Sequence, residues 1–169
     1  MRRRNIKPKK VEGAAKSFKS TEIYLKPDPR FQSKLASKLI NKLMWGGKKS
    51  TAQKIFYDAM DIVAKKVEVD PGEIFVKAID NVKPHLEVRS KRVGGATYQV
   101  PMEVSRRRQQ SLAIRWLVDM ARTKRGKPMS KRLADEIFDA YNNQGAAVTK
   151  RENVHKMAEA NSAYSHFAW

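Results

Sequence analysis

The 169-residue sequence contains no cysteine and only three histidines, His85, His155 and His166. Without cysteine the chain can form no disulfide, no thiolate metal site and no thiol nucleophile, and this composition fits a reducing compartment such as the cytosol. No two of the histidines have the close spacing of a helical zinc pair. We therefore expect the histidines to be structural or to contact a ligand, and we expect neither a metal nor another cofactor.

Long apolar runs are missing as well. No uninterrupted apolar segment approaches the roughly 20 residues that a membrane span requires, so we expect no contact with a membrane. The basic start at residues 1–4 is not followed by the apolar stretch of a secretory signal. A mitochondrial transit peptide remains an alternative for residues 1–20, although Pro8 and Gly13 interrupt the amphipathic helix that such peptides form.

Motifs for catalysis are also absent. There is no nucleophile elbow and no glycine-rich loop that would hold a phosphate. The acids that could in principle pair as catalytic carboxylates are Asp58, Asp61, Asp135, Glu136 and Asp139. On helices, lysines or arginines lie three or four residues from most of them, so ordinary surface ion pairs explain these acids. We predict that the protein is not an enzyme, with an RNA-modifying enzyme as the alternative that a cofactor pocket would support.

Acidic residues are few: 17 Asp and Glu stand against 36 Lys and Arg, which gives a formal net charge of +19 and a pI of about 10.3. Repulsion on this scale weakens a compact monomer unless a polyanion neutralises it, so nucleic acid is the expected partner. The planar fork of arginine matches phosphate oxygens and stacks on bases, which favours folded RNA. A DNA-compacting architectural protein remains the alternative.

The chain has 41% hydrophobic residues and a length that suits one domain with a modest core. We divide it into a basic N-terminal arm at residues 1–26, disordered until bound, and a helical domain at residues 27–169. Apolar spacing and capping signals predict six helices, which begin at Phe31, near Ser50, and at Pro71, Ser105, Ser130 and Thr149. The third should end near Val82 and the fourth near Met120. The Thr149 hydroxyl should cap the sixth, with Glu152 completing a capping box.

After Pro84 the apolar period changes to two, which predicts a β-hairpin at about residues 85–104 with its turn at Gly94 and Gly95. The predicted fold is therefore mainly α. It is a single domain of about six helices with a hairpin inserted between the third and fourth, plus a flexible basic arm.

Basic residues occur in blocks on separate elements, and several such blocks around a small core are hard to keep without an anion. Tyr98 in the hairpin is expected either to stack on unpaired bases or to pack in the core, Trp116 to pack in the core, and Trp169 to stack or dock. The candidate RNA-binding residues are Arg2, Arg3, Arg4, Lys7, Lys9, Lys10, Lys34, Lys48, Lys49, Arg89, Lys91, Arg92, Gly94, Gly95, Tyr98, Arg106, Arg107, Arg108, Arg115, Arg122, Lys124, Arg125, Lys150, Arg151, Lys156 and Trp169.

Several motifs span the hairpin and the helices after it: residues 89–101, 107–109, 112–118, 142–143, 145–148, 150–152 and 155–161. Together they resemble the S-seven family of small-subunit ribosomal proteins, in its bacterial or organellar branch, and the likeness covers roughly residues 27–169. Two features depart from the family. The arm ahead of residue 27 is longer than usual, and Trp45 with Gly46 stands where a more polar pair is usual.

The resemblance implies six helices with a β-ribbon between the third and fourth, in agreement with the pattern of apolar residues. It also implies a structural constituent of the small ribosomal subunit, a primary binder of the 3′ major domain of 16S-type ribosomal RNA that initiates assembly of the head. Implied neighbours are exit-site transfer RNA, the messenger RNA exit path, and head and platform proteins that include the S-eleven family. A cytoplasmic ribosome is implied, with an organellar ribosome as the alternative.

Overall fold

Six α-helices and one hairpin follow each other along residues 24–167, the part of the chain that the computed structural model describes. The helices are α1 (Lys34–Leu43), α2 (Lys49–Ala64), α3 (Pro71–Val82), α4 (Arg106–Thr123), α5 (Met129–Tyr141) and α6 (Ala146–Ala160). The strands β1 (Leu86–Val93) and β2 (Ala96–Glu103) lie between α3 and α4, and a 3-10 helix (Ser162–Phe167) follows α6. The predicted fold class, mainly α with a hairpin between the third and fourth helices, is confirmed.

The hydrophobic core is centred on α5, which contacts α2, α3, α4 and α6. Leu133 and Ile137 of α5 are completely buried, and so are Phe56 of α2, Ile79 of α3 and Leu117 of α4. Burying one such side chain contributes about 1.5–3 kcal/mol. The apolar faces therefore fix how the helices pack and leave the outer faces to charged residues.

The first helix begins at Lys34, so the predicted start at Phe31 is wrong. The chain turns just before it, where Gln32 has a φ of +51° that a right-handed helix cannot include. Ser33 then caps the helix, because its Oγ accepts hydrogen bonds from the N–H groups of Leu35 (3.2 Å) and Ala36 (3.5 Å). The fourth helix also differs slightly, since it continues to Thr123 rather than ending near Met120.

The sixth helix begins at Ala146 and not at Thr149, and the predicted capping box does not form. Gly145 precedes the helix with φ +89° and ψ 175°, a conformation that is essentially restricted to glycine. The Thr149 hydroxyl donates to the carbonyl of Gly145 (3.0 Å) inside the first turn, and Glu152 pairs with Arg151. A different helix supplies the cap, because the N–H of Ala147 donates to a carboxylate of α5.

Asp61 and Asp135 pair with cations of other elements. Asp61 of α2 pairs with Arg30 in the turn before α1, and Asp135 of α5 lies 2.9 Å from the ammonium of Lys66. Glu136 is completely buried. The predicted partners three or four residues away are wrong for Asp135 and Glu136, because helix packing brings distant cations within their reach. Asp61 has Lys65 nearby in addition to its ion pair with Arg30.

The hairpin is regular from its root to its tip. Its strands pair antiparallel from Leu86 with Glu103 to Val93 with Ala96. Gly94 and Gly95 form the turn with φ values of +57° and +90°, and two positive values give a turn whose twist matches that of the strands. Nothing lies within 4 Å of a Cβ built on either glycine. The tip of the hairpin is therefore open.

Gly145→Ala should lower the free energy of unfolding by about 2–4 kcal/mol. The added Cβ would lie 2.8 Å from the Cβ of Asp139, and the backbone conformation disfavours any side chain. Gly126→Ala is the matched control, since Gly126 has a φ of +83° with nothing within 4 Å; it should cost about 1 kcal/mol. Urea denaturation followed by circular dichroism measures both losses, and equal losses would contradict the close contact at Gly145.

Candidate nucleic-acid interface

A long stretch near the start of the described chain contains no acidic residue. Residues 29–57, which include α1, the loop after it and the first half of α2, contain seven Lys and Arg and no Asp or Glu. Lys34, Lys38 and Lys42 of α1 follow each other at intervals of four residues, and Arg107 and Arg115 of α4 are eight residues apart. Such intervals place side chains on one face of a helix, so each helix carries a row of cations.

The two rows meet at a groove between α1 and α4, which we call the basic groove. It has a volume of about 340 Å³ and is lined by Leu25, Lys38, Asn41, Lys42, Arg107, Gln110, Ser111, Ile114 and Arg115. The ammonium of Lys38 donates to Oε1 of Gln110 (2.8 Å), which joins the two walls. None of the described residues that line the groove is an acid, and an anion that enters it meets the exposed cations Lys42 and Arg115. Sequence reasoning missed Lys38 and Lys42, although their four-residue interval was the signal.

Glu87 of β1 holds together the root of the hairpin and the start of α4. The Nε of Arg89 donates to its Oε1 (2.7 Å), and the Nε of Arg108 donates to its Oε2 (2.6 Å). Glu87 is 8% exposed, so one buried carboxylate orders two of the predicted RNA-binding arginines. Arg106, beside them, is exposed.

The C-terminal 3-10 helix packs against the hairpin, a contact that the sequence did not predict. The ring of Tyr98 lies 5.1 Å from that of Tyr164 and 5.3 Å from that of Phe167. The ammonium of Lys91 donates to the carbonyl of Phe167 (2.8 Å), whereas Arg92, one residue nearer the tip, is exposed. Tyr98 thus packs on the chain's own C-terminal segment, half-buried and outside the main core.

The end of α4 and the loop after it contain two candidate RNA-binding cations with internal partners and one that is exposed. The guanidinium of Arg122 donates to the carbonyls of Lys42 (3.3 Å) and Leu43 (3.2 Å) at the end of α1. The ammonium of Lys124 lies 2.7 Å from Oε2 of Glu136. Burial disfavours the charge of Lys124, but hydrogen bonding and attraction to Glu136 outweigh it and raise the pKa of Lys124. Arg125 is exposed.

Helix α6 supports the root of the hairpin. Arg151 donates to the carbonyl of Asn81 at the end of α3 and to Oδ1 of Asn143 (3.2 Å). The N–H of His85, just before β1, donates to Nε2 of His155 (3.0 Å). Neutral His155 is needed for this bond, because a protonated imidazole has no free lone pair.

The structure therefore divides the candidate RNA-binding residues into two groups. Arg89, Lys91, Arg108, Arg122, Lys124 and Arg151 make internal contacts. Among the candidate cations within residues 24–167, those that are exposed and have no side-chain partner are Lys34, Lys48, Lys49, Arg92, Arg106, Arg115, Arg125, Lys150 and Lys156. The predictions at Arg2, Arg3, Arg4, Lys7, Lys9, Lys10 and Trp169 lie outside the described residues.

Residues 24–167 contain neither a metal-binding cluster nor a membrane-spanning helix. Between residues 24 and 167, no group of three or more histidines and acids is placed to hold a metal ion. In the same span, no helix combines the length and the apolar character that crossing a membrane demands.

Fold and charge together define the class of protein. It is a small, strongly basic helical protein with an open hairpin, in which the scarce carboxylates order the framework and a set of exposed cations faces outward. An arrangement of this kind suits the binding of a polyanion.

The comparisons with known proteins identify the family. Residues 15–162 match the family described as ribosomal protein S7p/S5e. The small ribosomal subunit protein uS7 of Fervidobacterium nodosum is 53% identical over 169 residues, which is all of both chains. The proteins of the same name from Thermotoga maritima and Thermoanaerobacter sp. are 57% and 60% identical over 143 residues, 85% of this chain and 92% of each relative. The chain belongs to the ribosomal protein S7p/S5e family.

Glu136→Gln tests the buried ion pair with Lys124. The amide keeps an oxygen for the N–H of Ala147 but removes the charge that balances the ammonium, so the free energy of unfolding should fall by about 2–4 kcal/mol. Asp135→Asn is the control, because the Asp135 side chain is 29% exposed; this change should cost about 0–1 kcal/mol. Urea denaturation measures both, and a loss at Glu136 no larger than at Asp135 would show that the charge of Glu136 is dispensable.

His155 should make the stability depend on pH. Burial lowers the pKa of His155 below 6.5, and the charges of Arg151 and His85 act in the same direction. The unfolded chain then takes up this proton at a higher pH than the folded chain, so stability should fall as the pH drops from about 7 to about 5. His155→Gln, which keeps an acceptor for the N–H of His85, should flatten that part of the profile. Urea titrations at several pH values between about 7 and 5 measure this profile. If the variant's stability changes with pH as much as that of the wild type, groups other than His155 cause the pH dependence.

Proposed function

We propose that the chain is a structural constituent of the small ribosomal subunit that binds the 3′ major domain of its ribosomal RNA and starts assembly of the head. The observation that carries the proposal is the set of exposed cations without internal partners, together with the basic groove, in which none of the described lining residues is an acid, in a member of a ribosomal protein family. The relatives named above come from bacteria, which supports a site of action on cytoplasmic ribosomes.

Binding by these cations has a direct physical cause. Each phosphate that a Lys or Arg neutralises releases condensed counterions, and the entropy of this release drives association. The exposed cations lie on α1, α2, the hairpin, α4, the loop after it and α6, so one RNA fold can satisfy them together. The internal ion pairs keep these elements in place before RNA arrives, which lowers the cost of ordering on binding. The protein thereby selects one arrangement of RNA helices that would otherwise repel each other.

The hairpin has a distinct part in this proposal. Its tip is open at Gly94 and Gly95, and the exposed Arg92 lies two residues before it. Such a tip can enter a space that the helical body cannot, which supports a position beside exit-site transfer RNA and the messenger RNA exit path. Contacts with head and platform proteins, including the S-eleven family, belong to the same proposal. The chain's contribution is binding and not catalysis.

A competition experiment tests the function. The purified protein is bound to a labelled 3′ major domain RNA fragment in the presence of excess bulk RNA or duplex DNA, over a series of salt concentrations. Binding that survives both competitors supports a specific ribosomal RNA ligand. Equal loss to every competitor would favour a DNA-compacting or non-specific polycation instead.

Lys42→Ala combined with Arg115→Ala should weaken this binding and make its salt dependence shallower by about one to two units of slope, because two phosphate contacts are lost. Both residues line the basic groove, and both are exposed. Lys65→Ala combined with Lys77→Ala is the charge-matched control. Lys65 is near Asp61, and Lys77 lies in a cleft that also contains Asp80, so this pair should leave the slope nearly unchanged. Equal effects of the two double variants would contradict a role for the basic groove.

A further inference from the structure

We propose that Trp45 is a stacking platform for one unpaired nucleobase of the bound RNA. The proposal deepens the RNA-binding function and depends on it. Trp45 lies in the loop between α1 and α2, and 81% of its surface is exposed. Tryptophan side chains are on average highly buried in folded proteins, so an indole this open is unusual on a chain with only three tryptophans.

The indole is held in place from one side. The guanidinium of Arg122 lies 5.5 Å from the centre of its ring, a distance at which a cation is attracted to the face of an indole. Arg122 itself is fixed by the carbonyls of Lys42 and Leu43, which end α1. One face of the ring is therefore set against a fixed cation, and the exposed remainder is available to a flat ligand.

The loop also brings a positive charge next to the indole. The N–H of Lys48 donates to the carbonyl of Trp45 (3.1 Å), which closes a tight turn through Gly46 and Gly47. These glycines have φ values of +59° and +74°, and nothing lies within 4 Å of a Cβ built on either. Lys48 and Lys49 are exposed directly after them. A ring, a bare backbone and two ammonium groups thus occur within five residues.

This combination fits a nucleotide better than a protein side chain. A nucleotide carries a flat base and a phosphate, and the loop offers a partner to each: the indole to the base, Lys48 and Lys49 to the phosphate. No acid occurs from residue 29 to residue 57, so no carboxylate of this segment repels the phosphate. The base must be unpaired, because the faces of bases inside a duplex are already stacked. The expected site is therefore a loop, bulge or strand end of the RNA.

The test compares Trp45→Leu with Trp45→Phe in the full chain. Leucine is apolar without a π face, whereas phenylalanine keeps one. Trp45→Leu should bind the 3′ major domain fragment about 5- to 150-fold more weakly than the wild type, and Trp45→Phe should retain most of the affinity. Because the side chain is exposed, both variants should unfold at the temperature of the wild type, which circular dichroism checks.

Fluorescence provides a second readout. A short single-stranded RNA should quench the part of the tryptophan emission that Trp45→Leu removes, and a duplex at equal phosphate concentration should not. If the wild type binds the fragment and Trp45→Leu binds it equally well, the stacking inference is overturned while the proposed function stands. If the wild type does not bind the fragment, both are overturned.

Discussion

The buried carboxylate of Glu136 is the contact on which the RNA-facing framework depends. It joins three elements at once, because it lies on α5, caps the first turn of α6 through the N–H of Ala147 and balances Lys124 in the loop after α4. Helix α6 in turn accepts the N–H of His85 and reaches the end of α3 through Arg151. The position of the hairpin root therefore follows from a charge that is fully inside the protein. A buried charge of this kind needs its partners, so Glu136 adds to the apolar packing that holds the three elements together.

A shortage of carboxylates explains how the same chain can be both folded and strongly basic. With 17 acids against 36 cations, most Lys and Arg have no carboxylate to pair with. Two of the buried acids connect different elements. Glu87 of β1 binds Arg108 of α4 as well as Arg89 of its own strand, and Glu136 of α5 binds Lys124 in the loop after α4. The remaining cations stay on the surface at a cost in self-repulsion, and this cost is relieved when a polyanion binds. In the proposed function, folding and RNA binding therefore draw on two separate sets of basic residues.

Local signals predicted much of the fold. The series Asp70, Pro71, Gly72 and Glu73 gave the start of α3, and the structure shows Asp70 accepting the N–H of Glu73 at 3.2 Å. The alternation of apolar residues and the paired glycines gave the hairpin. The start of α6 was missed because its cap comes from α5, far away in sequence. The sequence also did not show which cations have internal partners and which are exposed, because the partners of Lys91 and Arg151 lie 76 and 70 residues away in the chain. Sequence patterns report local geometry, whereas ion pairs depend on packing.

The division of the basic residues can be tested by the reactivity of each lysine toward acetylation, in the free protein and in its complex with the 3′ major domain RNA, as measured by mass spectrometry. Lys34, Lys48, Lys49, Lys150 and Lys156 should react readily in the free protein and become protected by RNA. Lys124 should react slowly in both states because it is paired with Glu136, and exposed Lys65 and Lys77 should react equally in both. Uniform protection of all lysines, or protection that falls on Lys65 and Lys77 instead, would contradict the division between framework cations and RNA-binding cations.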